Sequence, residues 1–259
     1  MKWGQSPFYL YETHMHTSEG SACGEVAGAD YIDFMKALGY SGMIVTVHFF
    51  NGNCAVDNRL PWEARVREYV KGYEHAKAAA EGKDFDVLFG VEFNFEGDEY
   101  LIYGIDEEWI IAHPEIMDMT RQELHTAVHD AGAIMVQAHP YRERCYLSDI
   151  RLTPDVCDGV EIYNASNSDN ENALAYQYAK KLGVPVMGGS DIHYFNRDMM
   201  GGMVLPRRIS DTKEFVQILM DGEAVPVMFG MKDKNYTPVE SVKALQEPTA
   251  KPTVEIKFF

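Results

Sequence analysis

The chain has 259 residues, of which 46% are hydrophobic and 24% are charged, a composition that excludes intrinsically disordered and collagen-like proteins. Its net charge of −17 repels phosphate backbones and anionic lipids, so we expect neither a stable nucleic-acid complex nor membrane binding. No apolar run approaches the roughly 18 residues that a membrane span requires. The sequence leaves the oligomeric state open.

The N-terminal segment and the cysteines indicate the compartment. Residues 1–17, MKWGQSPFYLYETHMHT, lack the longer apolar core of a signal peptide. The four cysteines are scattered without a CxxC pair, which argues against a disulfide framework and against a thiolate zinc site. We therefore expect a cytoplasmic protein with reduced cysteines.

Short apolar runs alternate with helical stretches along most of the chain. The strand candidates are rich in Val, Ile, Tyr and Phe and are bounded by Gly or Asp. They read PFYLYETHMH, SGMIVTVH, DVLFGVEF, YLIYGI, GAIMVQAH, GVEIYN and VPVMGGSD. Most of them are apolar at consecutive positions, which predicts strands that are covered on both faces.

Helices are predicted between these strands because their ends carry clear signals. Pro61 opens one helix, Thr120 and Glu123 form a capping box at another, and glycines follow the last turns. The predicted helices span residues 29–38, 61–81, 120–131, 170–182 and 211–221. The repeated order of strand then helix predicts a parallel sheet with helices outside it.

About seven such units favour a closed α/β barrel, and an open doubly wound sheet is the alternative architecture. We expect the barrel to comprise residues 1–230. The less regular residues 231–259 are predicted to form an appendage that packs on the barrel.

Residues that bind metals fall at the ends of the predicted strands. The carboxyl ends of parallel strands open on one face of a barrel, so side chains far apart in sequence would meet there. The residues concerned are His14, His16, His48, Glu92, His139, Glu161, Asn164, Asp191 and His193. Imidazoles and carboxylates with few thiolates are the ligands of zinc, manganese or iron.

The spacing of two pairs supports a metal site. His14 and His16 are two residues apart on an extended segment, so both side chains leave the same face and can hold one ion. Asp191 and His193 repeat that spacing in GSDIH.

This pattern resembles the PHP family, named for polymerase and histidinol phosphatase domains. The matching stretches are THMHTSEG, GMIVTVHFFNG, FGVEFN, VQAHPYR, GVEIYN and GGSDIH, in the family's order over residues 13–193. The resemblance implies a distorted (β/α)7 TIM-like barrel and a metal-dependent phosphoesterase with two or three divalent ions.

The resemblance also implies which residues hold the ions. The first ion would be held by His14, His16, Glu92 and Asp191. Glu92 would bridge to a second ion, which His139 helps to hold. The third ion would be held by Glu19, His48 and His193.

The sequence departs from the family pattern at three places. Val47 replaces the acid that usually precedes the histidine of the second strand. The strand after Glu92 lacks the histidine that members often carry, so Asp98, Glu99 or a water would take its place. The acidic segment SEG lies closer to His16 than usual, which affects the assignment of Glu19.

Basic residues near these motifs are candidates for substrate binding. Arg142 follows His139 in HPYRER, and Arg197 follows His193 in IHYFNRD. The guanidinium fork binds phosphate with two hydrogen bonds, so an acidic protein with a phosphorylated substrate would place arginines at its site.

Other histidines are expected to be structural. His125 and His129 are four residues apart on a predicted outer helix, but Thr126 stands where a metalloprotease zinc helix has glutamate. His113 and His75 fall on or near helical segments away from the strand ends.

The predicted reaction is hydrolysis of a phosphate ester of a small molecule. Two ions bridged by Glu92 would lower the pKa of a shared water, and the resulting hydroxide would attack phosphorus. Glu92, Asp191 and His193 are the predicted catalytic residues.

The alternatives within this class are histidinol-phosphate phosphatase and nucleotide phosphatase or phosphodiesterase. Outside it stand an amidohydrolase-like metallohydrolase and a non-catalytic metal-binding module. No strand candidate ends in the lysine whose carbamate bridges the ions of many amidohydrolases.

Overall fold

The computed structural model describes residues 8–259, so the start of the predicted N-terminal segment lies outside the described residues. Its helices are α1 (Tyr31–Ala37), α2 (Trp62–Tyr69), α3 (Lys71–Ala80), α4 (Glu107–Ala112), α5 (Arg121–Asp130), α6 (Asp169–Leu182) and α7 (Thr212–Met220). Its strands are β1 (Tyr9–Glu12), β2 (Gly42–Val45), β3 (Asp86–Phe89), β4 (Val91–Phe95), β5 (Asp98–Tyr103), β6 (Ile134–Gln137), β7 (Asp149–Leu152), β8 (Gly159–Asn164), β9 (Val186–Gly189), β10 (Met199–Leu205), β11 (Val225–Gly230), β12 (Thr237–Pro238) and β13 (Glu255–Phe258).

The strands form three sheets. The six-stranded sheet has the order β12-β11-β10-β1-β2-β3, the five-stranded sheet has the order β4-β5-β6-β8-β9, and β13 pairs with β7. The β1–β2–β3 and β6–β8–β9 pairs are parallel, as predicted. β10 and β5, in contrast, run antiparallel to their neighbours. The α/β class is therefore confirmed, with a mixed rather than an all-parallel strand arrangement.

A closed barrel is not found among residues 8–259. Strands of the two large sheets approach each other where the chain leaves β1, β2 and β9. Single parallel bridges join Met15 to Ile192 and His48 to Glu92 there. The seven-stranded barrel is thus not confirmed, but these bridges bring the predicted ligands of both sheets to one place.

The helix ends agree with their sequence signals. Thr120 and Glu123 form both hydrogen bonds of the predicted capping box at the start of α5. Gly183 ends α6 in the left-handed conformation, which glycine adopts without steric cost. The helix predicted over residues 61–81 is divided at Val70 into α2 and α3.

Residues 231–259 contribute strands to two of the three sheets. β12 adds to the edge of β11, β13 pairs in parallel with β7, and the short 3-10 helix Lys243–Leu245 packs on α6. The division at residue 230 stays a prediction. In the described part of the chain, no helix combines the length and the hydropathy needed to cross a membrane.

Candidate metal centre

The strand ends bring most of the predicted metal ligands into one buried cluster. Glu92 belongs to β4, and the others directly follow β1, β2, β6 or β9. The set consists of His14, His16, His48, Glu92, His139, Asp191 and His193. The structure thus brings these positions, which are far apart in the sequence, together in one cluster.

Glu92 lies at the centre of this cluster. Its Oε1 is 3.0 Å from His14 Nε2 and 3.2 Å from His139 Nε2. Its Oε2 is 2.7 Å from His48 Nδ1 and 3.4 Å from His16 Nε2. A carboxylate whose two oxygens face different imidazoles has the arrangement that a ligand bridging two ions requires.

Asp191 forms the opposite wall of the cluster. Its Oδ1 lies 3.1 Å from His16 Nε2, 3.6 Å from His14 Nε2 and 3.5 Å from His193 Nδ1. Asp191 has a φ of 52°, and His139 has a φ of 28°. Non-glycine residues rarely adopt such angles, and the strain they carry is typical of functional sites.

Three imidazoles form a second group at the edge of the cluster. The ring centroids of His16 and His193 are 4.0 Å apart, and those of His16 and His48 are 4.3 Å apart. Ligand atoms of the three lie within 4.8 Å of one another. The exposed thiol of Cys23 lies beside the side chains of His193 and His48.

The residues fit a metal ion because several of their buried ligand atoms lie close together without forming a hydrogen bond of suitable geometry. This holds for His14 Nε2, His16 Nε2, His48 Nδ1 and Glu92 Oε2. The side chains of His14, His16 and Glu92 are at most 1% exposed. Leaving such atoms unpaired costs about 1–3 kcal/mol each, a cost that coordination of a cation would remove.

A second layer of hydrogen bonds orients these ligands. His14 Nδ1 lies 2.9 Å from Glu161 Oε1, while Glu161 Oε2 accepts hydrogen bonds from the His139 backbone N–H and from Asn164. Ser21 Oγ lies 2.9 Å from His16 Nδ1. A proton held on Nδ1 leaves the Nε2 lone pairs facing the cluster, as metal-binding histidines require.

Charges in the cluster shift the pKa values of its members. Burial lowers the pKa of His14 and of His48, but nearby carboxylates outweigh it and raise both well above the ordinary value. Burial raises the pKa of Glu92, but the imidazoles of His48 and His14 outweigh it and hold that pKa well below its usual range. Burial and the neighbouring His193 and His48 lower the pKa of His16. The centre therefore combines an ionised carboxylate with a neutral imidazole.

Burial likewise raises the pKa of Asp191, but the guanidinium of Arg142 and the imidazole of His14 hold it well below its usual range. This carboxylate is therefore also ionised near neutral pH.

Glu19 is not placed with the other predicted ligands. Its carboxylate accepts hydrogen bonds from the Gly28 backbone N–H and lies 3.1 Å from His75 Nδ1. The chain turns tightly after Thr17, where Gly20 and Ser21 donate their N–H groups to the Thr17 carbonyl. This turn directs Glu19 toward α3.

Glu99 is the acid that reaches the cluster. Its carboxylate is 3.7 Å from His48 Nδ1 and 3.5 Å from His139 Nε2. Asp98, the other acid considered, instead pairs with Arg121 at 2.6 Å. Glu99 pairs with Asn94 across the β4–β5 hairpin. Because Asn94 is two residues along β4 from Glu92, the hairpin places both acids on the same face of the sheet.

Both predicted substrate-binding arginines contact Asp191. Arg142 Nη2 donates to Asp191 Oδ2 and also to Asn164 Oδ1 at 3.0 Å. Arg197 Nη1 donates to the Asp191 backbone carbonyl at 2.9 Å. Sequence reasoning missed this bond between Arg142 and a predicted ligand, since nothing in HPYRER specifies the partner.

A pocket opens beside the cluster. It lies along the β4–β5 hairpin and β7, and its lining includes Glu99, His139, Arg142, Tyr146 and Arg151. Tyr146 is 76% exposed at its rim. The guanidinium groups of Arg142 and Arg151 thus lie at the same pocket as Glu99 and His139, and each of the two pairs with a carboxylate, Asp191 and Asp149 respectively.

Two histidines that were expected to be structural have local partners. His113 stacks on Trp109 with ring centroids 4.2 Å apart, and its Nδ1 lies 2.7 Å from the Trp109 carbonyl. His75 lies beside Glu19 on the exposed side of α3. Both are therefore outside the metal-binding cluster.

The comparisons with known proteins give similarities at the level of structure. The sequence matches no family model and no curated protein. One similar structure is a two-domain protein from Bacteroides vulgatus that contains a predicted PHP-like metal-dependent phosphoesterase. Its TM-score is 0.59 at 14% identity, over 86% of this chain and 67% of that chain.

Two further structures resemble the chain over most of their own length. A candidate metal-dependent phosphoesterase from Bifidobacterium adolescentis has a TM-score of 0.51 at 16% identity, over 83% of this chain and 97% of that chain. An amidohydrolase from Chromobacterium violaceum with bound sulfate has a TM-score of 0.50 at 14% identity, over 86% and 98%. At these identities the likeness concerns the fold, and the chain has the fold of the PHP-like proteins.

Proposed function

We propose that this protein is a metal-dependent phosphoesterase that hydrolyses phosphate esters of small molecules. The observation that carries the proposal is the position of Glu92 between unpaired imidazole nitrogens at the junction of the two large sheets. Such a centre matches the donor set of zinc, manganese or iron. The likeness in fold to proteins named as phosphoesterases supports it.

The ligand residues divide into adjoining groups. His14, His16, Glu92 and Asp191 would hold a first ion, and Glu92 would share a second ion with His139 and Glu99. His48 and His193 would hold a third ion. This ion would be bound more weakly, because Glu19, the other ligand predicted for it, contacts Gly28 and His75 instead. When bound, the ions would activate water for attack and neutralise charge on the phosphate.

The surrounding residues would position the substrate. Arg142 and Arg197 lie on the Asp191 side of the cluster, where a guanidinium can bind a phosphate oxygen. His193 is 19% exposed at the edge and, with no third ion bound, could pass a proton to the leaving oxygen. Burial lowers the pKa of His193, but Cys23 and Asp191 outweigh it and raise that pKa above its ordinary value.

The test is a substrate screen on protein of known metal content. Phosphate release is measured from sugar phosphates, histidinol phosphate, nucleoside monophosphates and phosphodiesters, with zinc, manganese or iron supplied. We expect release from one compound class, loss of turnover in His14→Ala/Asp191→Ala, and normal turnover in the control His113→Ala. Circular dichroism checks that the double variant is folded, and normal activity in that variant would refute the assignment.

Amide or lactone hydrolysis is the second candidate function, because one structure with a similar fold is named an amidohydrolase. Metal-activated water serves both reactions. Among the described residues that line the pocket beside the cluster there is no lysine for a bridging carbamate, which favours the phosphoesterase. Turnover of amides or lactones by a protein that releases no phosphate from phosphate esters would favour this second function instead.

A further inference from the structure

A second group of metal-ligating side chains lies on α5, away from the centre described above. His125 and His129 are one helical turn apart, and their ring centroids are 4.0 Å apart. Their Nε2 atoms lie 3.2 Å and 2.7 Å from the same oxygen, Asp158 Oδ1. The three ligand atoms therefore converge on one point.

The carboxylate of this group is held in place by the backbone. Asp158 Oδ2 accepts a hydrogen bond of 2.8 Å from the Met135 N–H, so Oδ1 stays directed at the two imidazoles. Asp158 and His125 are 11% and 14% exposed, while His129 is 45% exposed. The group is thus semi-rigid, with one face open to solvent for a further ligand.

The distances between the ligand atoms of this group are close to those of a tetrahedral metal site. Zn–N and Zn–O distances of about 2.0–2.1 Å place neighbouring ligand atoms roughly 3.3 Å apart. The observed separations from Asp158 Oδ1 are 3.2 Å for His125 and 2.7 Å for His129, and all three ligand atoms lie within 4.8 Å of one another. A bound ion would therefore require the more exposed His129 ring to move outward. A backbone contact that orients a ligating carboxylate is also the usual support of a metal site.

We propose that His125, His129 and Asp158 form a separate zinc-type site that fastens α5 to the start of β8. Asp158 directly precedes β8, and Met135 belongs to the first half of β6, whereas His139 follows the end of β6. The group of His125, His129 and Asp158 has no residue in common with the candidate ligand groups around Glu92. This site therefore does not depend on the proposed function.

The proposed role is structural. An ion there would cross-link a helix and a loop that are otherwise joined by hydrogen bonds. Binding to the folded state alone would stabilise the protein by mass action.

The test measures the bound zinc and the Tm of the protein, with zinc as the only metal supplied. We expect His125→Ala/His129→Ala to bind one zinc equivalent fewer than the wild type and to lose part of the zinc-induced rise in Tm. Asp158→Asn keeps an acceptor for Met135 but removes the charged ligand, so we expect at least tenfold weaker binding at this site. The control His75→Ala removes an exposed imidazole from another helix and should leave both readouts unchanged.

A cobalt titration gives a readout independent of activity and of the other centre. In the His14→Ala/Asp191→Ala background, further replacement of His125 and His129 should remove the part of the tetrahedral Co²⁺ absorption that this site contributes, and the difference between the two titrations measures it. Equal zinc content in the wild type and the His125/His129 variant would overturn the proposal, and so would unchanged affinity in Asp158→Asn.

Discussion

Arg142 donates a hydrogen bond to the side-chain oxygen of Asp191 that faces away from His14 and His16. The guanidinium is only 13% exposed and also donates to Asn164 and Asn167. Asp191 is thereby held with one oxygen on the arginine and the other toward the imidazoles. Arg142 thus acts first as the residue that orients a predicted ligand.

Replacing Arg142 with alanine should therefore weaken metal binding. Loss of a partner behind a metal ligand typically lowers metal affinity by about 10–100-fold, and we expect Arg142→Ala to fall in that range in a chelator competition assay. Arg144→Ala is the matched control, because Arg144 pairs with Glu171 instead. A higher KM with unchanged metal affinity would show that Arg142 serves the substrate alone.

Glu161 should matter although it is not a predicted ligand. In Glu161→Gln the amide must present its NH₂ group either to His14 Nδ1 or to the His139 N–H, both of which face the carboxylate. We expect metal affinity to fall about 10–100-fold. Glu63→Gln, on the exposed side of α2, is the control.

We also expect the stability difference between the wild type and Glu161→Gln to depend on pH. Burial raises the pKa of Glu161, but the imidazoles of His14 and His139 outweigh it, so the folded-state pKa lies below the ordinary value. The ionised carboxylate therefore stabilises the fold above the unfolded pKa of about 4.3 and loses this effect as the pH falls. In urea unfolding, the free energy of unfolding of the wild type should exceed that of Glu161→Gln at pH 6–7, and the excess should be smaller near pH 4. An excess that does not change with pH would contradict this account.

The ligand residues were predictable because residue type and strand end coincide. His14, His48 and His139 each follow an apolar run that becomes a strand, and the carboxyl ends of those strands meet. Glu19 shows the limit of this reasoning. Its direction depends on the turn after Thr17 and on the close packing of Gly28 against the Gly72 carbonyl, which local spacing does not express.

The prediction of a parallel sheet was wrong at β4 and β5 because of the turn between them. Glu96 and Gly97 have φ angles of 46° and 109°, and this turn folds β5 back on β4 as a hairpin. Gly97 was the available signal, since glycine at such a position marks a hairpin. β10 was missed because it follows β9 through a loop rather than a helix. β11 follows the predicted helix α7 but was not among the strand candidates.

Cys23 should be unusually reactive in the metal-free protein. Burial raises the pKa of its thiol, but hydrogen bonds with His193 and His48 outweigh it and lower that pKa to about 6. Iodoacetamide alkylation of Cys23, followed by peptide mass spectrometry, should therefore have its pH midpoint near this value. In denaturant the midpoint should rise to about 8.5.

His193→Ala should raise the native midpoint toward the denatured one because it removes one of the hydrogen-bonding partners of the thiol. Equal midpoints in the native and denatured wild type would contradict the prediction.

Gly189 should be intolerant of a side chain because β9 passes close to the first predicted ligand. A Cβ at Gly189 would lie 2.6 Å from the Cβ of His14 and 3.0 Å from Glu161 Oε1. Overpacking of this kind costs about 1–3 kcal/mol, and displacement of His14 should also weaken metal binding. Gly52→Ala is the control, since its nearest contacts are 3.4 Å. Urea unfolding and metal titration should both separate the two variants, and equal results would mean that His14 can shift without loss.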